Sequence, residues 1–156
     1  MQDELKKKLK LKVSAIKEGT VIDHIPAKNL FKVISILGLD SIDNQITFGT
    51  NLESGKLGLK AIIKVSNKFF EDDEINKISL IAPHAKLNII RDYEVVEKKV
   101  VEIPDSISGI VKCFNPKCIT NHERITTWFN VIEKEPISLK CKYCEKITNA
   151  NQISMY

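Results

Sequence analysis

The sequence predicts an α+β protein of two domains: a sheet with two helices, followed by a small domain made mainly of strands. Three observations indicate this architecture. The residues before Pro104 show apolar patterns in the order strand, helix, strand, strand, helix, strand. The pattern changes to short strands after Pro104, and all four cysteines lie beyond it. We therefore assign one domain to residues 1–104 and a second to residues 105–156.

The N-terminal domain opens with a lysine-rich leader over residues 1–10, which we expect to be solvated. Alternating apolar residues over 11–16 predict a half-buried strand. A turn over 18–20 then leads through 21–26 into a helix, with Pro26 in its first turn. The predicted buried stripe of this helix is Leu30, Phe31, Val33, Ile34 and Leu37.

The remaining elements of this domain follow in order. Gly38 is expected to close the first helix in a left-handed conformation. Strands are predicted at 45–50 and 59–65, joined by a loop over 51–58. Asp72 or Asp73 is predicted to cap a second helix, and Pro83 is predicted to end it. Its predicted apolar positions are Ile75, Ile78 and Ile81 or Ala82.

The last part of this domain, at 87–90 and 93–103, supplies one long strand or two short ones. This element order is the split βαβ pattern, so we expect a ferredoxin-like domain with both helices on one face of the sheet.

The C-terminal domain is predicted to contain strands at 109–112, 126–132, 137–140 and near 147–153. About 50 residues bury too little apolar surface to fold unaided. We interpret the four cysteines as ligands of a metal ion, and the bound ion supplies the missing stabilisation of the folded domain.

Four cysteines form the most specific motif of the chain: Cys113, Cys118, Cys141 and Cys144, spaced C-x4-C, 22 residues, C-x2-C. Two short pairs separated by a longer segment are typical of a closed tetrahedral zinc site. Four thiolates leave no open position for a substrate, so we predict one structural Zn²⁺ per chain.

Other uses of these cysteines are two disulfides or a rubredoxin-like iron site. Clustering of cysteines at one end of the chain is unlike a small secreted disulfide scaffold, and rubredoxin-type sites normally show two C-x2-C turns. His122, four residues after Cys118, is treated as a loop residue.

Composition excludes several functional classes. No apolar stretch is long enough to span a bilayer, and no signal peptide is evident, so free thiolates indicate the cytoplasm. Motifs of nucleotide hydrolases, dehydrogenases, serine hydrolases and zinc proteases are missing, so we do not expect an enzyme. A net charge of +4 and 6% aromatic residues disfavour the rival interpretation, a nucleic-acid-binding protein.

Charged residues in the N-terminal domain suggest an anion site. The pair Asp23 and His24 precedes the first predicted helix, and Lys60, Lys64 and Lys98 lie on or beside strands. Lysines can bind a polyphosphate, and a carboxylate can accept hydrogen bonds from ribose hydroxyls. The alternative is that these lysines only protect sheet edges.

Four segments resemble one known family. They are GTVIDHIPA at 19–27, NLESGKLGLKAIIKVSN at 51–67, Asn88 with DYEVVEK at 92–98, and CKYCEK at 141–146. Together they resemble the regulatory chain of aspartate carbamoyltransferase, in the same order and over nearly the whole chain. The resemblance implies a non-catalytic allosteric subunit of pyrimidine biosynthesis that binds CTP as inhibitor and ATP as activator. In some members UTP acts alongside CTP, with a divalent ion.

The resemblance also implies a set of nucleotide-binding residues. Ala15, Ile16 and Tyr93 are expected around the base, Asp23 and Lys64 near the ribose, and His24 and Lys98 at the triphosphate. Lys60 matches the family as well. The implied pocket lining is Val13, Val21, Asn88, Ile90 and Val95.

The implied partners are catalytic chains and a second regulatory chain. Zinc domains dock on catalytic trimers, N-terminal domains pair into homodimers, and three such dimers bridge two trimers. Asn115, Glu145 and Lys146 are the implied contacts with the catalytic chain; no nucleic acid or membrane partner is implied. The sequence departs from the family at Glu97, beside Lys98, and at Lys117, where an asparagine is expected.

Overall fold

The computed structural model describes residues 2–4, 16–55 and 57–156, and the chain divides into two compact units, Met1–Glu102 and Ile103–Tyr156. The first unit contains one antiparallel sheet. Its strands are β1 (Gly19–Pro26), β2 (Ile46–Ser54), β3 (Gly58–Ser66), β4 (Lys86–Arg91) and β5 (Glu94–Val100), and its helices are α1 (Leu30–Ile36) and α2 (Asp72–Asn76).

The order of strands across this sheet is β2-β3-β1-β4-β5. Four of them form the predicted ferredoxin-like arrangement, and β5 extends it at one edge. Both helices lie on the same face. Phe31 of α1 packs edge-on against Phe48 of β2, and Asp72 of α2 pairs with Lys99 of β5. Phe48 and Lys99 belong to one cross-strand row, which also contains Ile63, Ile22 and Leu87. The α+β, ferredoxin-like prediction is therefore confirmed.

The central strand β1 corrects the predicted start of the domain. Residues 19–26 were assigned to a turn and a helix lead-in, whereas they form a strand buried on both faces, with Ile22 and Val21 both buried. A strand buried on both faces shows a continuous apolar run instead of alternation, and the sequence pattern missed it for that reason. The strand predicted over 11–16 falls outside the described residues, except for Ile16, which is not in a strand.

Gly19 explains why β1 can start where it does. Its φ is +140°, and a Cβ at this position would clash with the Val65 carbonyl oxygen, so only glycine fits. Gly38 follows α1 with φ of +67°, the predicted left-handed position.

Three further predictions need correction. Phe31 is exposed and does not widen the buried stripe of α1, which buries Leu30 and Val33. Glu71, and neither aspartate, precedes α2 as its cap, with its N–H donating to the Glu74 carboxylate. The helix ends at Asn76, and Ile78, Ile81 and Ala82 are buried in the turns that follow.

The loop predicted over 51–58 is also shorter than expected. Strand β2 continues to Ser54 through a bulge after Gly49, so the residues left between the strands are only those from 55 to 57.

The second unit is built from short strands: β6 (Ser106–Ser108), β7 (Val111–Lys112), β8 (Trp128–Lys134), β9 (Ile137–Cys141), β10 (Ile147–Asn149) and β11 (Ser154–Met155). One sheet has the order β10-β9-β8-β6, and β11 pairs with β7. Its apolar core is small and includes Val111, Phe129 and Leu139, each fully buried. The sequence missed β6, and Gly109, predicted within a strand, has a left-handed φ of +73°.

Candidate functional site

The four cysteine sulfurs converge at one point in the second unit. All four Sγ atoms lie within 4.8 Å of one another, with Cys113 3.6 Å from Cys144 and Cys118 3.8 Å from Cys141. A tetrahedral zinc with bonds of about 2.3 Å requires sulfurs about 3.8 Å apart. These distances fit one zinc ion and are far too long for disulfides, and all four cysteines are free.

Tight turns bring the sulfurs together. In the first turn the Cys118 N–H donates to the Asn115 carbonyl at 3.0 Å, and in the second the Glu145 N–H donates to the Cys141 carbonyl at 2.9 Å. Glu145 takes a left-handed φ of +62°, which lets the second turn close. These backbone hydrogen bonds therefore help to present the four ligands to one point.

The electrostatics of this cluster favour neutral thiols at Cys113 and Cys141 unless a cation is bound. Burial raises the pKa of Cys113 and of Cys141, because a thiolate is poorly solvated there. Burial acts in the same direction on Cys144, but hydrogen bonds led by the Lys146 N–H and the Asn115 side chain outweigh it and lower its pKa to about 7. Four thiolates at this spacing repel one another, and a bound Zn²⁺ removes that penalty when it deprotonates them.

The residues implied as catalytic-chain contacts surround this centre but differ in exposure. Glu145 and Lys146 are exposed, whereas the Asn115 side chain is buried. Lys117, a departure from the family pattern, is exposed in the first turn. Three large apolar side chains near the turns are also exposed, namely Phe114, Ile119 and Tyr143. The surface around the zinc centre is thus both apolar and charged.

The second candidate site is the sheet face opposite the helices, which we call the lysine face. Cross-strand pairing aligns Lys64, Val21, Asn88 and Lys98 in one row across β3, β1, β4 and β5. Paired residues in antiparallel strands point to the same side, so these four side chains share a face. Ile90 and Val95 pair in the neighbouring row of the same face.

Lys64 is the most unusual residue of the lysine face. Its side chain is buried at 4% exposure, and its Nζ has no hydrogen-bond partner among residues 2–4, 16–55 and 57–156. Burial lowers its pKa, because the ammonium ion loses solvation. A buried amine without an anionic partner is costly, and a bound anion would stabilise it.

Asp23, His24 and Lys60 form a polar cluster at one end of this face. The Lys60 Nζ donates to Asp23 Oδ1 at 2.9 Å, and His24 Nδ1 lies 3.6 Å from Asp23 Oδ2. A bulge in β1 after Ile22 produces this arrangement, with His24 at a left-handed φ of +61°. Strained non-glycine backbone of this kind is concentrated at functional sites.

The other predicted nucleotide-site residues have mixed positions. Tyr93 is exposed in the β4–β5 turn, and its N–H donates to the Lys17 carbonyl. Ile16 is half-buried just before β1. Val13 and Ala15 lie outside the described residues. Glu97 pairs with Ile89 and so points to the helix side of the sheet, opposite to Lys98.

Sequence reasoning missed the residues that support the zinc turns. The Thr120 hydroxyl lies 3.2 Å from Cys118 Sγ, and Asn121 Nδ2 donates to the carbonyls of Cys113 and Asn115. The only available signal was the concentration of Thr and Asn side chains after a metal-ligand pair, which is common in any loop.

Two family profiles match the two units of the chain. The profile of the aspartate carbamoyltransferase regulatory chain, allosteric domain, matches residues 11–102. The profile of the metal binding domain of the same regulatory chain matches residues 105–154. The chain belongs to the family of aspartate carbamoyltransferase regulatory chains. The resemblance found in the sequence is thus confirmed.

Individual relatives agree. The aspartate carbamoyltransferase regulatory chain of Bacteroides fragilis is 59% identical over 145 residues, which cover 93% of this chain and 95% of the relative. That of Phocaeicola vulgatus is 62% identical over 136 residues, covering 87% and 88%. That of Pyrococcus abyssi is 55% identical over 145 residues, covering 92% and 95%.

Membership of this family defines the biochemical role. The chain regulates aspartate carbamoyltransferase in pyrimidine biosynthesis and is not its catalyst, and it acts on a separate catalytic chain. Its C-terminal unit is a metal-binding domain whose four cysteines fit one structural zinc, as predicted. Among the described residues, no helix is both long and apolar enough to cross a bilayer.

Proposed function

We propose that the lysine face of the N-terminal unit binds CTP and ATP as competing effectors, and that the zinc unit passes their effect to catalytic chains. The observation that supports this proposal best is the row of Lys64, Asn88 and Lys98, in which a buried amine has no partner among the described residues. A nucleoside triphosphate supplies the missing anion.

The proposed division of contacts follows from what the two nucleotides share. CTP and ATP have the same ribose and triphosphate, so Lys98, His24 and the Asp23–Lys60 pair contribute affinity for both. Discrimination between the two nucleotides then depends on contacts with the base, which the family resemblance assigns to Ala15, Ile16 and Tyr93. An effector shifts the equilibrium between two states of the enzyme only to the extent that it binds one state more tightly than the other. The resulting coupling free energy is typically about 1–3 kcal/mol. UTP with a divalent ion is a further effector in this proposal.

Assembly is the second part of the proposal. The zinc unit docks on catalytic trimers through the exposed surface around its turns, with Glu145 and Lys146 at the contact. Regulatory chains pair through their N-terminal units, and three such dimers bridge two trimers. The edge strand β2 supports this pairing: Phe48 and its neighbour Phe31 are 47% and 69% exposed, and the outer edge of β2 pairs with no other strand of the described residues.

The nucleotide site is tested by comparing Lys98→Ala with Lys99→Ala. Lys98 and Lys99 are consecutive residues of β5, and each variant removes one positive charge from this strand. Lys99, however, points to the helix side of the sheet, where it pairs with Asp72. We expect Lys98→Ala to weaken CTP and ATP together by about five- to tenfold, since an exposed charged contact contributes about 1 kcal/mol. Lys99→Ala should leave both affinities near wild type.

Calorimetric titration of each nucleotide into the full chain measures these affinities, with zinc quantified in the same sample. Equal affinities in wild type and Lys98→Ala would remove Lys98 from the site. A wild-type chain that binds neither nucleotide would end the proposal.

The homodimer is tested by Phe48→Glu. A charge at this edge should shift the isolated chain from dimer to monomer in sedimentation analysis, because a desolvated carboxylate at an interface lacks a partner. Val96→Glu, on the opposite edge strand β5, is the matched control and should remain dimeric. A Phe48→Glu chain that sediments as wild type would contradict pairing through β2.

A further inference from the structure

The β4–β5 turn is a tight hairpin that contains a residue such turns rarely use. Strand β4 ends at Arg91 and β5 begins at Glu94, so only Asp92 and Tyr93 connect them, with φ of +50° and +66°. Two consecutive left-handed residues are typical of a type I′ turn, in which the second position favours glycine. Tyrosine is strained there, and strain of this kind persists only where surrounding contacts hold the backbone.

The residues just before β1 supply such contacts. The Tyr93 N–H donates to the Lys17 carbonyl at 3.0 Å, and the Asp92 N–H donates to Glu18 Oε1 at 3.0 Å. The other carboxylate oxygen of Glu18 lies 3.6 Å from Arg91 Nη1. One side chain therefore contacts two consecutive residues of the hairpin.

Glu18 and Arg91 are in turn connected to the end of β3. The Glu18 carbonyl accepts the N–H of Asn67, which follows β3, at 2.9 Å. The Arg91 guanidinium lies over the Phe69 ring, with its Cζ 4.3 Å from the ring centroid. Glu18 thus joins the residues before β1, the end of β3 and the β4–β5 turn, and we call these contacts the Glu18 junction.

The lysine face becomes uncharged toward the Glu18 junction. Asp23 and Lys86 pair at the far end of β1, and Lys64 and Lys98 lie in the middle row. The row nearest the turn is uncharged and consists of Ser66, Gly19, Ile90 and Val95. Beside this row, Tyr93 is 65% exposed. A nucleotide on this face therefore places its phosphates among the cations and its base at the uncharged end, where an aromatic ring can stack on it.

We infer that Glu18 is a positioning residue for the base of the effector, because it holds the strained turn and so forms the base end of the lysine face before the nucleotide binds. This inference rests on the proposed nucleotide site. Preorganisation of a binding loop raises affinity, since less conformational freedom is lost on binding. Loss of the Glu18 carboxylate should therefore lower the part of the affinity that depends on the base.

The test compares CTP, ATP and inorganic tripolyphosphate as ligands of the full chain. Nucleotide affinities are measured by calorimetric titration, and that of tripolyphosphate, which has no base, by its competition with CTP. We expect Glu18→Ala to weaken CTP and ATP about three- to tenfold and to leave tripolyphosphate at its wild-type affinity. Glu18→Gln keeps an acceptor for the Asp92 N–H but loses the ion pair with Arg91, so its nucleotide affinities should be intermediate.

Glu97→Ala is the matched control for charge. It removes a carboxylate from the helix side of β5 and should bind all three ligands as wild type does. Wild-type affinity of Glu18→Ala for CTP and ATP would overturn the inference. An equal loss of tripolyphosphate affinity in this variant would also overturn it, because the whole face would then be disturbed.

Amide hydrogen exchange, followed by NMR, tests the Glu18 junction without any nucleotide. In Glu18→Ala the amides of Asp92 and Tyr93 should exchange about three- to tenfold faster than in wild type, because a hydrogen bond that holds the turn is lost. Both amides should exchange at the wild-type rate in Glu97→Ala. Unchanged exchange in Glu18→Ala would overturn the inference. A wild-type chain that binds neither nucleotide would instead end the proposed nucleotide site, and that failure is distinct because it needs no substitution.

Discussion

Cys113→Ser is expected to unfold the C-terminal unit and abolish binding to catalytic chains, while the N-terminal unit still binds nucleotide. The core of this unit, around Val111, Phe129 and Leu139, is too small for about 50 residues to fold on apolar burial alone. Structural zinc contributes an apparent ~10–16 kcal/mol in small zinc-finger peptides, so loss of one ligand removes the largest stabilising term.

The chain carries a convenient reporter for this prediction. Its only tryptophan, Trp128, lies at the start of β8 with the Lys142 ammonium 5.2 Å from its ring, so its fluorescence reports on the zinc unit alone. We expect the emission of Cys113→Ser to match that of the unfolded chain, and calorimetry to return wild-type affinity for CTP. The same spectrum should follow when a chelator strips zinc from wild type.

A surface substitution that leaves all four cysteines in place is the control for Cys113→Ser. Lys112→Ala alters the preceding residue, which is exposed, without touching a ligand, and should keep wild-type fluorescence and assembly. Assembly of Cys113→Ser with catalytic trimers would show that the metal does not shape the docking surface.

Lys64→Met is expected to produce the largest loss of nucleotide affinity among single changes on the lysine face. Truncating one partner of a buried charged contact costs about 2–5 kcal/mol, against about 1 kcal/mol for an exposed one such as Lys98. The affinities for CTP and ATP should therefore fall by at least about 30-fold. Lys68→Met, whose ammonium pairs with Glu74 outside this face, is the matched control.

The same variant is expected to be more stable than wild type when no nucleotide is bound. Lys64 has a lowered pKa in the folded chain because of burial, so the unfolded chain binds the proton more tightly. The free energy of unfolding of the wild-type unit then rises as the pH increases through the lowered pKa toward 10.5. Lys64→Met should lack this rise and should already be more stable at neutral pH.

Urea unfolding at several pH values, followed by far-UV circular dichroism, measures this effect. A Lys64→Met chain with unchanged stability and a wild-type pH profile would show that the amine is solvated in the unliganded chain. Wild-type nucleotide affinity in this variant would place the anion elsewhere.

The metal centre could be predicted from the sequence because its determinants are local. A tight turn needs only a few residues, so the spacing of Cys141 and Cys144 already specifies which atoms meet. The closeness of Cys113 to Cys144 and of Cys118 to Cys141 could not be predicted, since it depends on how two turns separated by a long segment face each other.

The arrangement of the lysine face likewise could not be predicted from local sequence. Lys64, Asn88 and Lys98 are far apart in the chain and become neighbours only through the register of four strands. The central strand of that row was itself unrecognised, because Val21 and Ile22 are both buried and give no alternation. Charge and position along the predicted strands already grouped Lys64 with Lys98 before the register was known, and only the family resemblance added Asn88.

Strand β5 has one further consequence for the N-terminal unit. Lys98 points to the lysine face, and its neighbour Lys99 pairs with Asp72 at the start of α2 on the other side. The peptide bond between them joins the two sides of the sheet rigidly. In the proposed nucleotide complex, a displacement of β5 at Lys98 would therefore also displace Lys99 and its ion pair with Asp72 at the start of α2.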